Sequence, residues 1–412
     1  MGDEAREESL KISRPLILTG GFQVFADQLY NRFIQLLAIA VGATVDQLGI
    51  LNAVKSVASN ILQIFFGRMA DRFGKRRFIA AGRFLNGIVL AAIIFIEAPE
   101  YLIPLIVLCS IFVSMALPSW NSLLGDYAPE GRRGEVIGRI NSLAQIGGLT
   151  AMLIALFISL SQSGSSSRAS YLPVMAMASG ASILSGVFVL FTQEKHNTQV
   201  SVNLDFVRLL IDVRLRRYLV LNTFYGVGMA FAWPLFPFII TEKLGMPVWQ
   251  VAILAITETS ANIVTQRFTG RFMDKFGRRP IIVFSRMVMA LAPLSYALAT
   301  NWIHIVIAEV FLGMGMGAWM GSESTYVIDL APGQLRATYL AASATAFGLA
   351  SFVGSLVGSY ITEHVLTSSG IDAINSGLLI SALLRLVLGF AYVAAFESKP
   401  ESKNNHIARA PI

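Results

Sequence analysis

The sequence predicts an all-α membrane protein with twelve transmembrane helices, built as two repeats of six. Hydrophobic residues make up 55% of the 412 positions and charged residues only 14%, whereas a soluble domain carries about 25% charge. Twelve predominantly apolar segments reach the length of about 20 residues that a helix needs to cross a bilayer. A charged phrase, GRMADRFGKRR at 67–77, also recurs as GRFMDKFGRRP at 270–280.

The charge distribution points to a membrane protein and away from a nucleic-acid partner. The net charge is +7, but the cations lie in short clusters between apolar segments, as in the loops of membrane proteins. Cys109 is the one cysteine, so no intramolecular disulfide can form. The four histidines and this cysteine show no metal-ligand spacing, and we expect neither a metal nor another cofactor.

The twelve spans fall into two halves separated by a long polar interval. We divide the chain into a first six-helix half (1–192), a central loop (193–216), a second six-helix half (217–398) and a tail (399–412). The predicted spans are 15–41, 46–70, 78–97, 101–125, 136–161, 171–192, 217–241, 247–270, 280–299, 303–328, 337–362 and 374–396.

The loops also predict how the chain is oriented. Nearly all loop cations fall on the side that holds both termini, and Arg168 and Lys243 are the exceptions. Cytosolic loops carry such an excess of lysine and arginine. We therefore expect a multi-pass protein of the cell membrane, with both termini in the cytosol. The N-terminus lacks the apolar run of a cleaved signal peptide and is predicted to be a cytosolic tail.

The two halves are related by a constant offset of 203 residues. This register holds from span 2 to the loop after span 4, over about 90 residues, which indicates an internal repeat. The matched pairs include Gly67 with Gly270, Asp71 with Asp274, Gly74 with Gly277, Arg76 with Arg279, Arg83 with Arg286, and DYAPEGRRG (126–134) with DLAPGQLRA (329–337).

The repeated phrase in the loop between spans 2 and 3, its copy between spans 8 and 9, and the long central loop resemble the major facilitator superfamily. This resemblance covers almost the whole chain. It implies two six-helix bundles around a central cavity and secondary transport by alternating access. In this fold helices 1, 4, 7 and 10 line the cavity, helices 2, 5, 8 and 11 form the bundle interface, and the others lie outside.

The resemblance also implies a conformational lock in the repeated loops. Asp71 would face the start of span 11, where the helix dipole favours an acid. Arg72 and Arg76 would complete this network, and Gly67 and Gly74 would permit the tight turn. The copy in the second half would act more weakly near span 5, through Gly270, Asp274, Gly277 and Arg279.

Three spans carry polar side chains along one face. Stepping each helix by about 100° per residue separates these residues from an apolar face, which indicates a hydrated interior cavity. The polar sets are Gln23, Asp27, Gln28, Asn31, Arg32 and Gln35 on span 1, Asn52, Lys55, Ser56, Ser59, Asn60 and Gln63 on span 2, and Glu258, Thr259, Asn262, Thr265 and Gln266 on span 8.

Charges inside the bilayer are costly and usually functional. We predict that Asp27 and Glu258 are protonatable carboxylates, and that Arg32 and Lys55 tune them or bind an anion. Asn31 and Asn262 complete the predicted substrate site. The alternative is that the charges form structural ion pairs, for instance Asp27 with Lys55.

Span 10 carries two further carboxylates. Glu323 is predicted to contact substrate or to close a cytosolic gate, with an interhelical hydrogen bond as the alternative. Glu309 begins a row spaced by four with Gly313, Gly317 and Gly321, which predicts close helix packing. No role is assigned to Arg385 on span 12.

Each predicted cavity-lining span also offers one large ring. These are Tyr30, Trp120, Trp233 and Trp319. Such rings suit stacking on sugars or drug-like molecules, and ordinary packing is the alternative.

The leading interpretation is a monomeric, proton-coupled secondary transporter that exports amphipathic or drug-like compounds. The alternatives are uptake of an anionic metabolite, with Arg32 and Lys55 binding the charge, and lipid flipping. Span 4 lacks the arginine, and span 5 the glycine–proline motif, that many drug exporters of this family carry. An enzyme is not expected, because the sequence has no constellation of catalytic side chains.

Overall fold

The computed structural model describes residues 13–127, 133–161, 167–194, 212–331, 336–369 and 372–395. Within these ranges the regular structure is helical, with no strand. Twelve spans follow in the predicted order, which confirms the fold class. Seven of them are long and apolar enough to cross a membrane by length and composition alone. Among the other five, the first, second and eighth carry the predicted polar faces and the seventh is interrupted.

We number the spans α1 to α12. The bounds are Arg14–Ala40 (α1), Val45–Val57 continued by Ala58–Leu62 and Gln63–Phe73 (α2), Lys75–Ile93 (α3), Pro99–Tyr127 (α4), Arg133–Ser161 (α5), Arg168–Val189 (α6), Val213–Ala230 continued after a turn by Phe236–Phe238 and Ile239–Lys243 (α7), Val248–Phe276 (α8), Arg278–Ala297 (α9), Trp302–Leu330 (α10), Arg336–Tyr360 continued by Ile361–Leu366 (α11) and Ala373–Ala395 (α12).

Local sequence signals explain several of these boundaries. A capping box starts α2: the Thr44 hydroxyl accepts the Gln47 backbone N–H at 3.3 Å, and the Gln47 side chain accepts the Thr44 N–H at 3.0 Å. In the two repeated loops, Gly74 separates α2 from α3 with φ 102° and Gly277 separates α8 from α9 with φ 83°. Both angles favour glycine, as the predicted tight turn requires.

The prolines of α7 break this helix. The regular helix ends at Ala230 and resumes at Phe236. Pro234 and Pro237 lie in or just beyond the break, and a proline cannot donate a helix hydrogen bond.

Arg385, to which the sequence assigned no role, stabilises this region. It is 1% exposed and donates to the Met229 carbonyl at 2.7 Å and the Met289 carbonyl at 2.9 Å. Met229 lies in the last turn of the helix before the break. The residue four positions after Met289 is Pro293, which has no N–H. Arg385 therefore satisfies two carbonyl groups that α7 and α9 leave free.

The helix contacts repeat between the halves. In the first half α1 packs on α5 and α6, and α3 on α4 and α6; in the second half α7 packs on α11 and α12, and α9 on α10 and α12. The halves meet through α2 with α11 and through α5 with α8, the interface helices that the resemblance implies.

The halves are closed against each other at the end opposite Gly74 and Gly277, which we call the far end. There the buried apolar residues of both halves form one continuous core. Toward the repeated loops, the described buried residues form two separate clusters, one in each half. Further contacts join the halves at the far end, including Asp46 with His364 at 2.6 Å and the Ser159 hydroxyl with the Trp249 N–H at 3.0 Å.

Candidate functional site

A cavity of about 400 Å³ lies between the two halves, within the range of small-molecule sites. Its wall combines two helices of the first half with three of the second. More than half of the lining side chains are polar or charged. They are Asn31, Arg32, Gln35, Leu36, Asn52, Lys55, Ser56, Ser59, Asn60, Trp233, Phe236, Pro237, Ile240, Tyr296, Glu309 and Leu312.

Lys55 supplies a positive charge to this cavity. Its ammonium donates to the Asn31 side-chain oxygen at 2.6 Å and lies 5.4 Å from the centre of the Tyr30 ring. Within the described part of the chain, no carboxylate lies within salt-bridge distance of it. An ammonium has three N–H donors, so Lys55 can bind a further acceptor.

Arg32 links the two halves beside Lys55. Its guanidinium contacts Glu258 of α8 at 3.1 Å and Glu309 of α10 at 2.8 Å. The Tyr296 hydroxyl of α9 donates to Glu309 at 2.6 Å. Glu309 is 1% exposed. One cation thus holds two carboxylates across the interface between the halves.

The close packing of α8 on α10 brings these two glutamates together. A Cβ atom at Gly313 would lie 2.3 Å from the Glu258 carbonyl oxygen, too close for any side chain. The predicted packing of the small-residue row is therefore found. However, Glu309 at its start is more than a packing residue, because its carboxylate binds Arg32.

Asp27 does not pair with Lys55, the partner considered from the sequence. Arg83 of α3 holds its carboxylate through two hydrogen bonds, of 2.6 and 3.0 Å. The arginine is fully buried, while the Asp27 side chain is 27% exposed. Asp27 is also absent from the cavity lining, so the α1 polar face serves two separate contacts.

Glu323 takes the interhelical alternative. Its carboxylate accepts from the Trp319 indole, from Asn222 at 3.2 Å and from Ser343 at 3.1 Å. It also contacts Arg286 at 3.2 Å. The cluster joins α7, α9, α10 and α11 inside the second half.

The expectation that four rings line the cavity is wrong for three of them. Trp233 lines it, but Tyr30 is 3% exposed and donates to the Ile106 carbonyl. Trp120 is 5% exposed and packs on Gly20, and Trp319 belongs to the Glu323 cluster. Phe236 and Tyr296 supply cavity rings that the sequence reasoning missed. A ring on a cavity-lining span can point away from the cavity, because the sequence does not show which face of the span meets the cavity.

Two further residues of the predicted site, Glu258 and Asn262, lie on α8. Glu258 contacts Arg32 without lining the cavity. Asn262 is half-buried, and its backbone oxygen packs on Gly317. Sequence reasoning also missed Arg83 and Arg286 as partners of acids. Their signal was present, since both are cations within spans and occupy the same register position.

Comparison with known proteins identifies the family. The sequence profile of the Major Facilitator Superfamily matches residues 16–230 and again 218–411. The chain belongs to the Major Facilitator Superfamily. The two matches cover the two halves in turn, as the repeat predicts.

Relatives in this superfamily are transporters. The chain is 22% identical over 413 aligned positions to the uncharacterized MFS-type transporter MJ1317 of Methanocaldococcus jannaschii, covering 91% of this chain and 96% of that protein. It is 30% identical over 111 residues to the proton myo-inositol cotransporter hmit-1.2 of Caenorhabditis elegans, which is 27% of this chain and only 18% of that longer protein.

A solved structure shows the same fold. The nucleoside transporter NupG superposes with a TM-score of 0.75 at 16% identity, covering 94% of this chain and 100% of that chain. This protein is therefore a membrane-spanning transporter of the superfamily rather than an enzyme.

The lock that the family resemblance implies is described in part. The side chains of Asp71 and Asp274 and the residues just before α11 lie outside the described part of the structure. Arg72 is exposed and lies 5.6 Å from the Phe73 ring. Gly67 and Gly270 occupy the last turns of α2 and α8.

Arg76 and Arg279 make the same contact in the two halves. Arg76 donates to the Thr192 carbonyl at 3.0 Å, just after α6, and Arg279 donates to the Val393 carbonyl in the last turn of α12. Each arginine therefore binds the end of the sixth helix of its own half. The contact with the opposite half, through Asp71, stays a prediction.

Proposed function

We propose that this protein is a proton-coupled transporter that takes up a small polar organic anion across the cell membrane. The single observation that carries this proposal is Lys55, a cation in the cavity between the halves whose described partner there is a neutral amide. The bound anion would accept a charge-assisted hydrogen bond from Lys55, which has no carboxylate within salt-bridge distance among the described residues.

The rest of the cavity suits a hydroxylated or otherwise polar solute. The amide groups of Asn31, Gln35, Asn52 and Asn60 face the same space, and each can both donate and accept hydrogen bonds. Trp233 and Phe236 add an apolar side against which a small carbon skeleton can pack. The names of a relative and a structural neighbour, a myo-inositol cotransporter and a nucleoside transporter, fit a cavity of this polarity.

This composition favours the anion alternative over the export of amphipathic or drug-like compounds. The drug-export interpretation depends on a cavity that mixes rings with carboxylates, and of the four predicted rings Trp233 alone lines the cavity. Lipid flipping gains no support from the cavity, because its polar wall would have to hold acyl chains.

The proposed coupling and direction depend on carboxylates and on topology. Asp27 and Glu258 stay the proposed proton-binding groups, and the positive-inside distribution of loop cations supports a cytosolic position for both termini. With this orientation the far end faces outward. A proton that enters together with the anion would drive its accumulation.

A binding screen tests the substrate class. Purified protein is heated with matched anionic, neutral and cationic small solutes at two pH values, and the melting temperature is recorded. We expect anions, and not their neutral analogues, to raise the melting temperature of the wild type, and Lys55→Gln to remove the effect.

Lys243→Gln is the matched control for this screen. Lys243 binds the Asn375 side chain and the Ala297 carbonyl outside the cavity, so its loss removes one lysine without changing the site. Equal stabilisation of Lys55→Gln and wild type by the anions would contradict the proposal.

A further inference from the structure

The cavity between the halves has two chemically different walls, one from each half. The first-half wall comes from α1 and α2, and Leu36 is its one apolar residue among the described lining residues. The others carry amide, hydroxyl or charged groups, among them Asn31, Gln35, Asn52 and Lys55. A solute that contacts this wall therefore needs polar atoms on the side that faces it.

The second-half wall, from α7, α9 and α10, is mainly apolar. Its apolar lining residues include Trp233, Phe236, Ile240 and Leu312. Glu309 is its one charged residue among the described lining residues. The Glu309 carboxylate already contacts Arg32 at 2.8 Å and accepts from the Tyr296 hydroxyl at 2.6 Å. This wall therefore offers mainly carbon surface to a solute.

The break in α7 brings two aromatic rings to the second-half wall. Among residues 231–240, Trp233 and Phe236 are half-buried and the others are buried. The Phe236 ring packs edge-on against the Tyr296 ring, with the ring centres 4.7 Å apart, and this contact fixes its position. Aromatic rings held in this way favour offset-stacked or edge-to-face contact with a further ring.

The cations of the cavity limit the charge of the solute. Lys55 lines the cavity and has no carboxylate within salt-bridge distance among the described residues. Arg32 also lines it, but already contacts Glu258 at 3.1 Å and Glu309 at 2.8 Å. One available cation matches a carboxylate, which has a single negative charge. A phosphate ester, with a charge of about −1.5 to −2 at pH 7, would leave a costly excess of negative charge.

We propose that the solute is a small ring-bearing monocarboxylate that binds between these two walls. Its carboxylate binds Lys55, its further hydrogen-bonding groups lie along the edge that faces α1 and α2, and one ring face packs against Trp233 and Phe236. This inference rests on the proposed function for the negative charge, and narrows it to a solute with its polar groups on one side. The volume of about 400 Å³ lies near the lower end of the range for small-molecule sites, which suits a one-ring solute.

The two walls disfavour solutes with one kind of surface. A sugar acid with hydroxyl groups on all sides would place some of them against Trp233 and Phe236, where they lose hydrogen bonds to water. A short aliphatic acid such as acetate can bind Lys55 but leaves the apolar wall uncovered. A ring with one polar edge satisfies both walls at once.

Six solutes that combine three polar groups with two carbon skeletons test the proposal. The ring set is benzoate, benzamide and benzamidinium, and the ring-free set is acetate, acetamide and acetamidinium. Gluconate adds a carboxylate with hydroxyl groups along its whole length. Dissociation constants for the purified wild type are measured by titration calorimetry at neutral pH. We expect benzoate to bind at least about tenfold more tightly than acetate or gluconate, because a hydrophobic pocket discriminates by about tenfold or more for a single methylene.

Substitution of the two rings shows whether they cause this preference. Phe236→Leu and Trp233→Leu should each lower the ratio of benzoate to acetate affinity by about 2- to 10-fold, with acetate binding unchanged. Phe224→Leu is the matched control, since Phe224 lies on the same span, is 59% exposed and is absent from the cavity lining. A wild-type ratio in both ring variants, or gluconate binding as tight as benzoate binding, would overturn the proposal.

The solute sets separate this inference from the proposed function. Lys55→Gln should weaken benzoate and acetate alike and keep their ratio. Acetate and gluconate binding that needs Lys55 but shows no preference for benzoate would leave the proposed function standing and overturn the ring site. Tighter binding of benzamide or benzamidinium that depends on Phe236 would do the reverse. Absence of binding by all three ring solutes would also overturn the ring site. Elution as a single species shows that each variant is folded, and either ring variant alone is sufficient for the test.

Discussion

The two halves hold the same buried cation in different ways. Arg83 and Arg286 are repeat mates, and both are fully buried. Arg83 binds Asp27 of α1, which is its partner among the described residues. Arg286 binds Glu323 of α10 and Asn222 of α7, and its guanidinium lies 4.4 Å from the Tyr225 ring.

The difference shows that the repeat conserves the position of the cation but not the source of its counter-charge. In the first half a single carboxylate, that of Asp27, pairs with Arg83, and its side chain is 27% exposed. In the second half several groups surround the Arg286 guanidinium. The ring centres of Trp319 and Tyr392 lie 5.4 and 5.3 Å from it. The Asp27–Arg83 pair is therefore easier to disrupt than the network around Arg286. A pair with a partly exposed acid is better suited to a contact that changes between conformations than to a fixed one.

The largest expected effect tests this contrast directly. Asp27→Ala leaves Arg83 buried without a described partner, so we expect it to lower the free energy of unfolding by about 3–5 kcal/mol. Glu323→Ala should cost about 1–3 kcal/mol, since Arg286 keeps Asn222 and its aromatic neighbours. The melting temperatures of the purified variants measure both.

Removing the Arg83 cation from the Asp27→Ala variant provides the control. Arg83→Leu added to Asp27→Ala should recover most of the lost stability. Equal losses for Asp27→Ala and Glu323→Ala, or no recovery in the double variant, would show that the halves do not differ as described.

A smaller effect is expected at Arg385. An offset of 203 residues pairs Arg385 with Ser182 and Pro293 with Leu90, so neither the arginine nor the proline is found at these positions of the first half. Arg385→Met leaves two buried carbonyls unsatisfied and should cost about 2–4 kcal/mol. Pro293→Leu restores an N–H four residues after Met289, so it should recover part of this loss. If it makes the double variant less stable than Arg385→Met, the proposed reason for this arginine is wrong.

The smallest effects should be equal in the two halves. Arg76→Gln and Arg279→Gln each remove one hydrogen bond to the end of a sixth helix, and each should cost about 0.5–1.5 kcal/mol. Parallel thermal unfolding of the two variants checks this. A clear loss in one variant and none in the other would indicate that the repeated loops have different structural roles.

The repeat register made much of the fold predictable. The offset between GRMADRFGKRR and GRFMDKFGRRP assigned equivalent helices, and the helix packing repeats accordingly. The break in α7 followed from its prolines, and the tight turns followed from Gly74 and Gly277. These features depend on backbone geometry and local sequence, which a single chain contains.

The partners of the charged groups were less predictable. Helical stepping placed Asp27 and Arg32 on the polar side of α1, but it does not state which neighbouring helix faces each residue. Asp27 therefore meets Arg83 instead of Lys55, and Arg32 meets two acids of the other half. From the sequence, Glu309 is assigned to helix packing because it begins a row of glycines spaced by four. Its contact with Arg32, which also binds Glu258, becomes visible only once α1, α8 and α10 are placed together.

Transport by reconstituted protein tests the central claim most directly. Liposomes containing wild type, Lys55→Gln or Lys243→Gln are given an anion identified in the thermal screen, in labelled form, under an inward proton gradient. We predict that wild type and Lys243→Gln accumulate the anion, that Lys55→Gln does not, and that removing the gradient stops accumulation. Accumulation by Lys55→Gln at the wild-type rate, or equal accumulation of a neutral analogue, would contradict a cavity built around Lys55.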